Sequence, residues 1–212
     1  MTDPTSPEPS SAARIGFDFA ALVRDARAGR LGVGLCIVGC VHLAIFVACH
    51  FLYVRGDRAA IHYLPLWAID VGCAGAVLIP RLAGLNARDG ARSSWVVVRI
   101  WLTFAILCLT SASMNSITGF EVDWFKISWA MLGTFGFAML AWVFHLAFLL
   151  PAVFMSLTAL LIAAHPGQSY LIFGLSWFAT LQALGLMLEV GPLWQRVTHR
   201  DCVVFRQANR EF

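Results

Sequence analysis

Charge is what this sequence lacks. Only 13% of its 212 residues are Asp, Glu, Lys or Arg, while 59% are hydrophobic. A water-soluble domain carries about twice that charged fraction, so the surplus apolar surface must face something other than water, and lipid is the natural solvent. Lysine occurs once, at Lys126, while arginine carries the other fourteen positive charges, nearly all of them clustered at the ends of apolar runs. Arginines so placed mark membrane topology and do not form a nucleic-acid surface.

Other absences narrow the chemistry. There is no HExxH zinc helix, no GxSxG turn, no Walker glycine loop and no Asp-rich pair to hold a magnesium diphosphate. Gly174-Leu175-Ser176 runs on into Trp177 and lacks the second glycine of an intramembrane serine protease motif. No two of the six cysteines are spaced as CxxC, and Cys36, Cys40, Cys49, Cys73 and Cys108 all lie inside apolar runs, where they read as small apolar filler. Cys202 is expected to be cytoplasmic and reduced. A cleaved secretory signal is not expected either, because the first apolar run begins after thirty residues and is too long for an h-region of about 7–15. The chain thus leans away from enzymatic function.

What the sequence does have is long uncharged runs. Leu31 to Val54 is bounded by Arg30 and Arg55, and as a helix its 24 residues reach roughly 36 Å, enough to cross a hydrocarbon core of about 30 Å. From Ile127 to Leu188 no Asp, Glu, Lys or Arg occurs in 62 residues. One helix of that length would extend roughly 93 Å, so the chain must turn twice within it. The turn signals are Pro151 and His165-Pro166-Gly167-Gln168.

The expected fold is all-α: a polytopic integral membrane protein with six transmembrane helices in a bundle. The spans fall at about 31–54, 63–80, 98–118, 127–148, 150–165 and 169–190. Residues 1–13, rich in Pro, Ser and Thr, form a disordered tail. Residues 14–30 form an amphipathic helix in the membrane interface, the six spans make one domain over 31–191, and 192–212 is a basic tail that begins at the helix-ending Pro192. With both termini cytoplasmic, twelve arginines lie on that side against Arg55, Arg58 and Lys126 on the other. This asymmetry, the arginine bias and the compact loops favour a bacterial inner membrane. Trp67, Trp95, Trp124, Trp129 and Trp194 fall near the expected interfaces.

Few polar residues enter the spans. Asp70 is the carboxylate deepest in the bilayer, about 10 Å below the outer surface by helical rise, and His42 lies about 18 Å below it. Adjoining helices would let the two share a proton, as in relays and ion-coupled carriers, or would let them fasten one helix to another. Ser111, Asn115 and Gln182 complete a candidate ligand site with them. Arg99 and Glu189, near the cytoplasmic ends of their helices, are expected to form a structural ion pair, with His145 at similar depth. His50 and His165 match in depth near the outer edge and are the candidate axial ligands for a haem b, although no second pair supports them.

Gly32, Cys36, Cys40, Ala44 and Ala48 recur every fourth residue and suggest a small-residue seam for other membrane subunits or self-association. The leading expectation is therefore a non-enzymatic scaffold or accessory subunit of a membrane complex. A small-molecule carrier or substrate-binding subunit using the Asp/His/Asn site is the alternative, and a haem-binding redox protein the third. Lipid is the one partner the composition itself requires.

Overall fold

The computed structural model describes residues 19–57, 60–86, 91–118 and 124–208. The expected tail at 1–13 lies outside them. Among the described residues seven α-helices follow one another: α1 (Phe19–Ala28), α2 (Leu31–Val54), α3 (Ala60–Asn86), α4 (Ala91–Thr118), α5 (Trp124–Val143), α6 (Leu149–Ala164) and α7 (Ser169–Ala208). Six segments of the described residues are long and apolar enough to cross a membrane: Leu31–Val54, His62–Leu82, Val96–Met114, Phe125–Val143, Leu146–Ala164 and Pro166–Glu189.

The spans form a ring. α2 packs on α7, α7 on α6, α6 on α5, α5 on α4, α4 on α3, and α3 returns to α2. Large apolar side chains point outward from every span, among them Phe51, Ile79, Leu109, Trp142, Leu150 and Met187. An apolar outside suits lipid and not water. The interior is aromatic: Phe46, Tyr53, Tyr63, Phe125, Phe137, Tyr170, Phe173 and Trp177 belong to one buried cluster. Trp67 and Trp129 pack edge to face against one another at 5.4 Å, so they serve this interior even though their depth suits an interface.

The tightest contact is between α2 and α7. A Cβ on Gly32 would come within 2.6 Å of the Gly185 carbonyl oxygen, and one on Gly185 within 2.6 Å of both the Gly32 oxygen and Cys36 Sγ. Further along, Gly39 meets Leu181, and Leu43 and Phe46 meet Gly174. The contact line therefore steps through Gly32, Cys36, Gly39, Leu43 and Phe46, alternating four and three residues as a left-handed helix pair requires. A strict fourfold spacing drifts around the helix by about 40° per step. Hence Gly32 and Cys36 are occupied within the chain, whereas Cys40 and Ala44 of the same stripe are exposed.

Helix ends follow local chemistry. After α2, Gly56 takes a positive φ of 85°, its N–H bonds to the Tyr53 oxygen, and the Asp57 N–H reaches back to Leu52 at 3.1 Å. These two bonds close the helix in a Schellman motif, with glycine where the left-handed residue is needed. The turn after α5 lies earlier than the expected break at Phe148–Pro151. His145 is extended (φ −162°, ψ 135°), its Nδ1 accepts the Ala147 N–H at 3.1 Å, and a 3-10 turn over Leu146–Phe148 leads into α6. Pro151 sits in the first turn of α6, where a missing N–H costs nothing, so it marks a beginning and not an end.

α7 continues through Pro192 to Ala208 rather than ending there. Proline removes the N–H that would bond to the carbonyl four residues back, that of Leu188. Arg27 Nε donates to that carbonyl instead. α1 is thereby fastened across the end of the bundle, touching α2, α3, α4 and α7 with Ala26 buried beneath it.

Candidate functional site

His42 stands near the middle of α2 and Asp70 near the middle of α3. Nδ1 of the imidazole lies 2.8 Å from Asp70 Oδ2, and the two side chains are only 14% and 15% exposed. Against an ionised carboxylate, which only accepts, Nδ1 is the donor. Nε2 is then either a lone-pair acceptor or, in the imidazolium, a second donor. It is buried and meets no hydrogen-bond partner among the described residues.

Aromatic rings close the space around it. The imidazole lies 4.4 Å from the Phe46 ring, 5.8 Å from Phe173 and 6.1 Å, edge on, from Trp177. Trp177 in turn meets Trp101 at 5.8 Å, Phe104 at 5.6 Å and Phe137 at 5.9 Å. Its Nε1 is likewise buried with no partner. Three helices, α2, α3 and α7, thus meet at the pair, and α4 and α5 add rings behind Trp177, so that both side chains are largely withdrawn from water. Electrostatic and hydrogen-bond interactions are strongest in such a place, and unmet polar groups most costly.

The other expected residues are distributed differently. Gln182 does not face the pair: its Nε2 donates to the Cys36 carbonyl at 2.9 Å and meets Cys40 Sγ at 3.5 Å, which puts it in the α2–α7 seam. Ser111 is half-buried on α4, and the side chain of Asn115 lies outside the described residues. Arg99 and Glu189 do not pair. Arg99 is exposed, and Glu189 Oε1 accepts the Val33 N–H at 3.2 Å, across the α2–α7 seam. His145 is spent on its cap. Among the described residues His50 Nδ1 is buried without a partner inside α2, whereas His165 is exposed in the turn before α7.

One polar centre was not anticipated. Lys126, expected at a loop edge, is 0% exposed. Its Nζ donates to Ser169 Oγ and lies 3.8 Å from the centre of the Tyr170 ring, 5.0 Å from Tyr53 and 5.6 Å from Phe125. Tyr63 stacks flat on the other part of this group, 5.4 Å from Tyr170 with the planes 6° apart. The available signal was the singularity of this lysine beside Trp124 and Phe125 in a chain whose other cations are arginines. Compared with protein-family models, curated proteins and solved structures, the chain matches none of them.

Proposed function

We propose that this chain is a multi-pass carrier or substrate-binding subunit whose working centre is the His42–Asp70 pair. The observation that supports this reading is the incomplete coordination of His42. A histidine that only fastens two helices is complete once its bond to the partner helix is made; here Nδ1 is satisfied by Asp70 while Nε2 is buried with nothing to bond. An ionisable group inside a membrane span is expensive, and an unmet polar atom in dry surroundings adds about 1–3 kcal/mol. Such an arrangement is retained where a proton or a ligand atom completes it. We further place both termini on the cytoplasmic side of a bacterial inner membrane, on the strength of the arginine asymmetry.

A second reading, a scaffold or accessory subunit, draws support from the exposed Cys40 and Ala44 on α2, small residues that let a neighbouring helix approach. The two readings part in one experiment. The protein is extracted in mild detergent from its own membrane and its native mass spectrum is recorded beside those of Asp70→Asn and His42→Phe. The carrier reading expects a reproducible small-molecule adduct on the wild type that both folded variants lose. A wild-type chain that is bare, or that holds only another polypeptide, would sink it.

A further inference from the structure

The end of the bundle that α1 covers is rich in arginine. Arg24 and Arg27 stand on α1, Arg30 joins α1 to α2, Arg81 lies near the end of α3 and Arg99 near the start of α4. The spans stop on this side at Leu31, Leu82, Val96 and Glu189, so Arg30, Arg81 and Arg99 fall within roughly 5 Å of that boundary by helical rise. That is the depth of lipid headgroups. α1 touches α2, α3, α4 and α7, which holds its own arginines at the same level. Arg24, Arg30 and Arg99 are exposed, whereas Arg27 and Arg81 are half-buried.

The backbone draws these residues together. The Arg30 N–H bonds to the Arg27 carbonyl at 2.9 Å and the Gly34 N–H to the Arg30 carbonyl at 3.2 Å, so Arg27, Arg30 and Gly34 follow one another turn by turn. Gly34 is the seat of Arg81: a Cβ there would come within 2.9 Å of Arg81 Cδ and 3.1 Å of Nε. The glycine lets the arginine stem lie against the α2 backbone. The guanidinium so placed donates from Nη1 to the Val77 carbonyl of its own helix, and Arg27 directs Nε to the Leu188 carbonyl. Among the described residues no carboxylate pairs with any of the five arginines, since the ion pairs there are those of His42 with Asp70 and His62 with Asp57. Glu189, at the same boundary, accepts the Val33 N–H instead.

A guanidinium presents five N–H donors in a planar fork that matches a phosphate, and partial burial makes the lack of a counter-ion more costly. We propose that these arginines form a binding site for the phosphate head of an anionic phospholipid, with Arg27 and Arg81 as its inner contacts and Arg24, Arg30 and Arg99 around them. Basic pockets between spans at a membrane surface hold such heads. A lipid is favoured over a free anion because apolar surface adjoins the cations: Ile79, two residues before Arg81, and Leu102, three after Arg99, are exposed where acyl chains would lie. A zwitterionic lipid brings its own cation beside the phosphate and gains less among arginines. The site owes nothing to the His42–Asp70 centre and stands or falls without it.

The test uses the full chain in a neutral detergent. Native mass spectrometry counts bound lipid as phosphatidylglycerol or phosphatidylcholine is added, and thermal unfolding is followed in the same mixed micelles. The expected result is saturable binding of phosphatidylglycerol about tenfold tighter than that of phosphatidylcholine, with a rise in unfolding temperature that phosphatidylcholine does not give. Arg81→Gln is expected to weaken phosphatidylglycerol binding several-fold, and where that variant does not fold, Arg24→Gln combined with Arg99→Gln carries the same expectation. Arg55→Gln, at the opposite end of α2, controls for general attraction to an anionic micelle and should leave binding unchanged. Equal binding of the two lipids, or equal losses in the Arg81 and Arg55 variants, overturns the proposal. So does inorganic phosphate that displaces the lipid and stabilises the chain as well as the lipid does, which would give the site to a free anion.

Discussion

Arg27 Nε donates to the backbone carbonyl of Leu188, the acceptor that Pro192 leaves without its helical donor. The two residues are 161 positions apart in the chain, and their bond ties the short α1 to the far end of α7. Replacing Arg27 by Met should cost about 1.5–3 kcal/mol, the range for a hydrogen bond from a charged group. In a Pro192→Ala background the new N–H can serve Leu188, and the same replacement should cost markedly less. A thermal-unfolding double-mutant cycle in detergent measures this coupling, and strict additivity would refute it.

Gly32 and Gly185 meet backbone to backbone, so neither neighbour can yield to an added methyl. Gly32→Ala and Gly185→Ala should each destabilise by about 1–3 kcal/mol through overpacking. Gly72 offers the control, since a Cβ there meets nothing within 4 Å. Alanine at Gly72 should be stabilising by about 0.5–1 kcal/mol through helix propensity. Unfolding in graded denaturing detergent ranks the three variants.

Most of the fold was legible because span length, charge and loop punctuation are read along one dimension. The six apolar runs and the His165–Gln168 turn appear in the structure at or near their expected places. What escaped was rotation about the helix axis. Trp129 has the depth of an interfacial residue yet faces inward, Cys40 belongs to the small-residue stripe yet faces outward, and Glu189 has the depth to meet Arg99 yet turns to Val33. His42 and Asp70 differ by roughly 8 Å in depth by helical rise alone. Helix packing brings them within hydrogen-bond distance, and Lys126 is buried because three different helices supply the rings that surround it.

The His145 cap offers a check on the α5–α6 turn. His145→Ala removes the acceptor of the Ala147 N–H and should cost about 1 kcal/mol, the usual worth of a cap. Hydrogen exchange should quicken at Ala147 and the amides beside it while the centre of α6 keeps its protection. Equal loosening throughout α6 would show that the turn is not where the cap acts.

Asp70 and His42 can be separated into a fastening role and a working role. Asp70→Leu alone leaves His42 buried with both nitrogens unmet and should destabilise by about 1–3 kcal/mol. The double replacement His42→Phe with Asp70→Leu removes both polar groups and should recover most of that stability, as apolar substitutes for buried pairs commonly do. A stable double variant that has lost the wild-type adduct assigns the pair to binding. A stable double variant that keeps it leaves only the fastening role.

The ring order carries a consequence for how the protein is made. α2 emerges first among the spans, but its seam partner α7 is the last of them. With synthesis at about 5–20 residues per second, the ~130 residues between Val54 and Gly185 keep Gly32 and Gly39 facing lipid for roughly ten seconds. Assembly is therefore post-insertional at its most tightly packed contact. A ribosome that stalls before Gly185 leaves a chain with five anchored helices and an open glycine groove, the kind of unfinished surface that membrane quality control can detect.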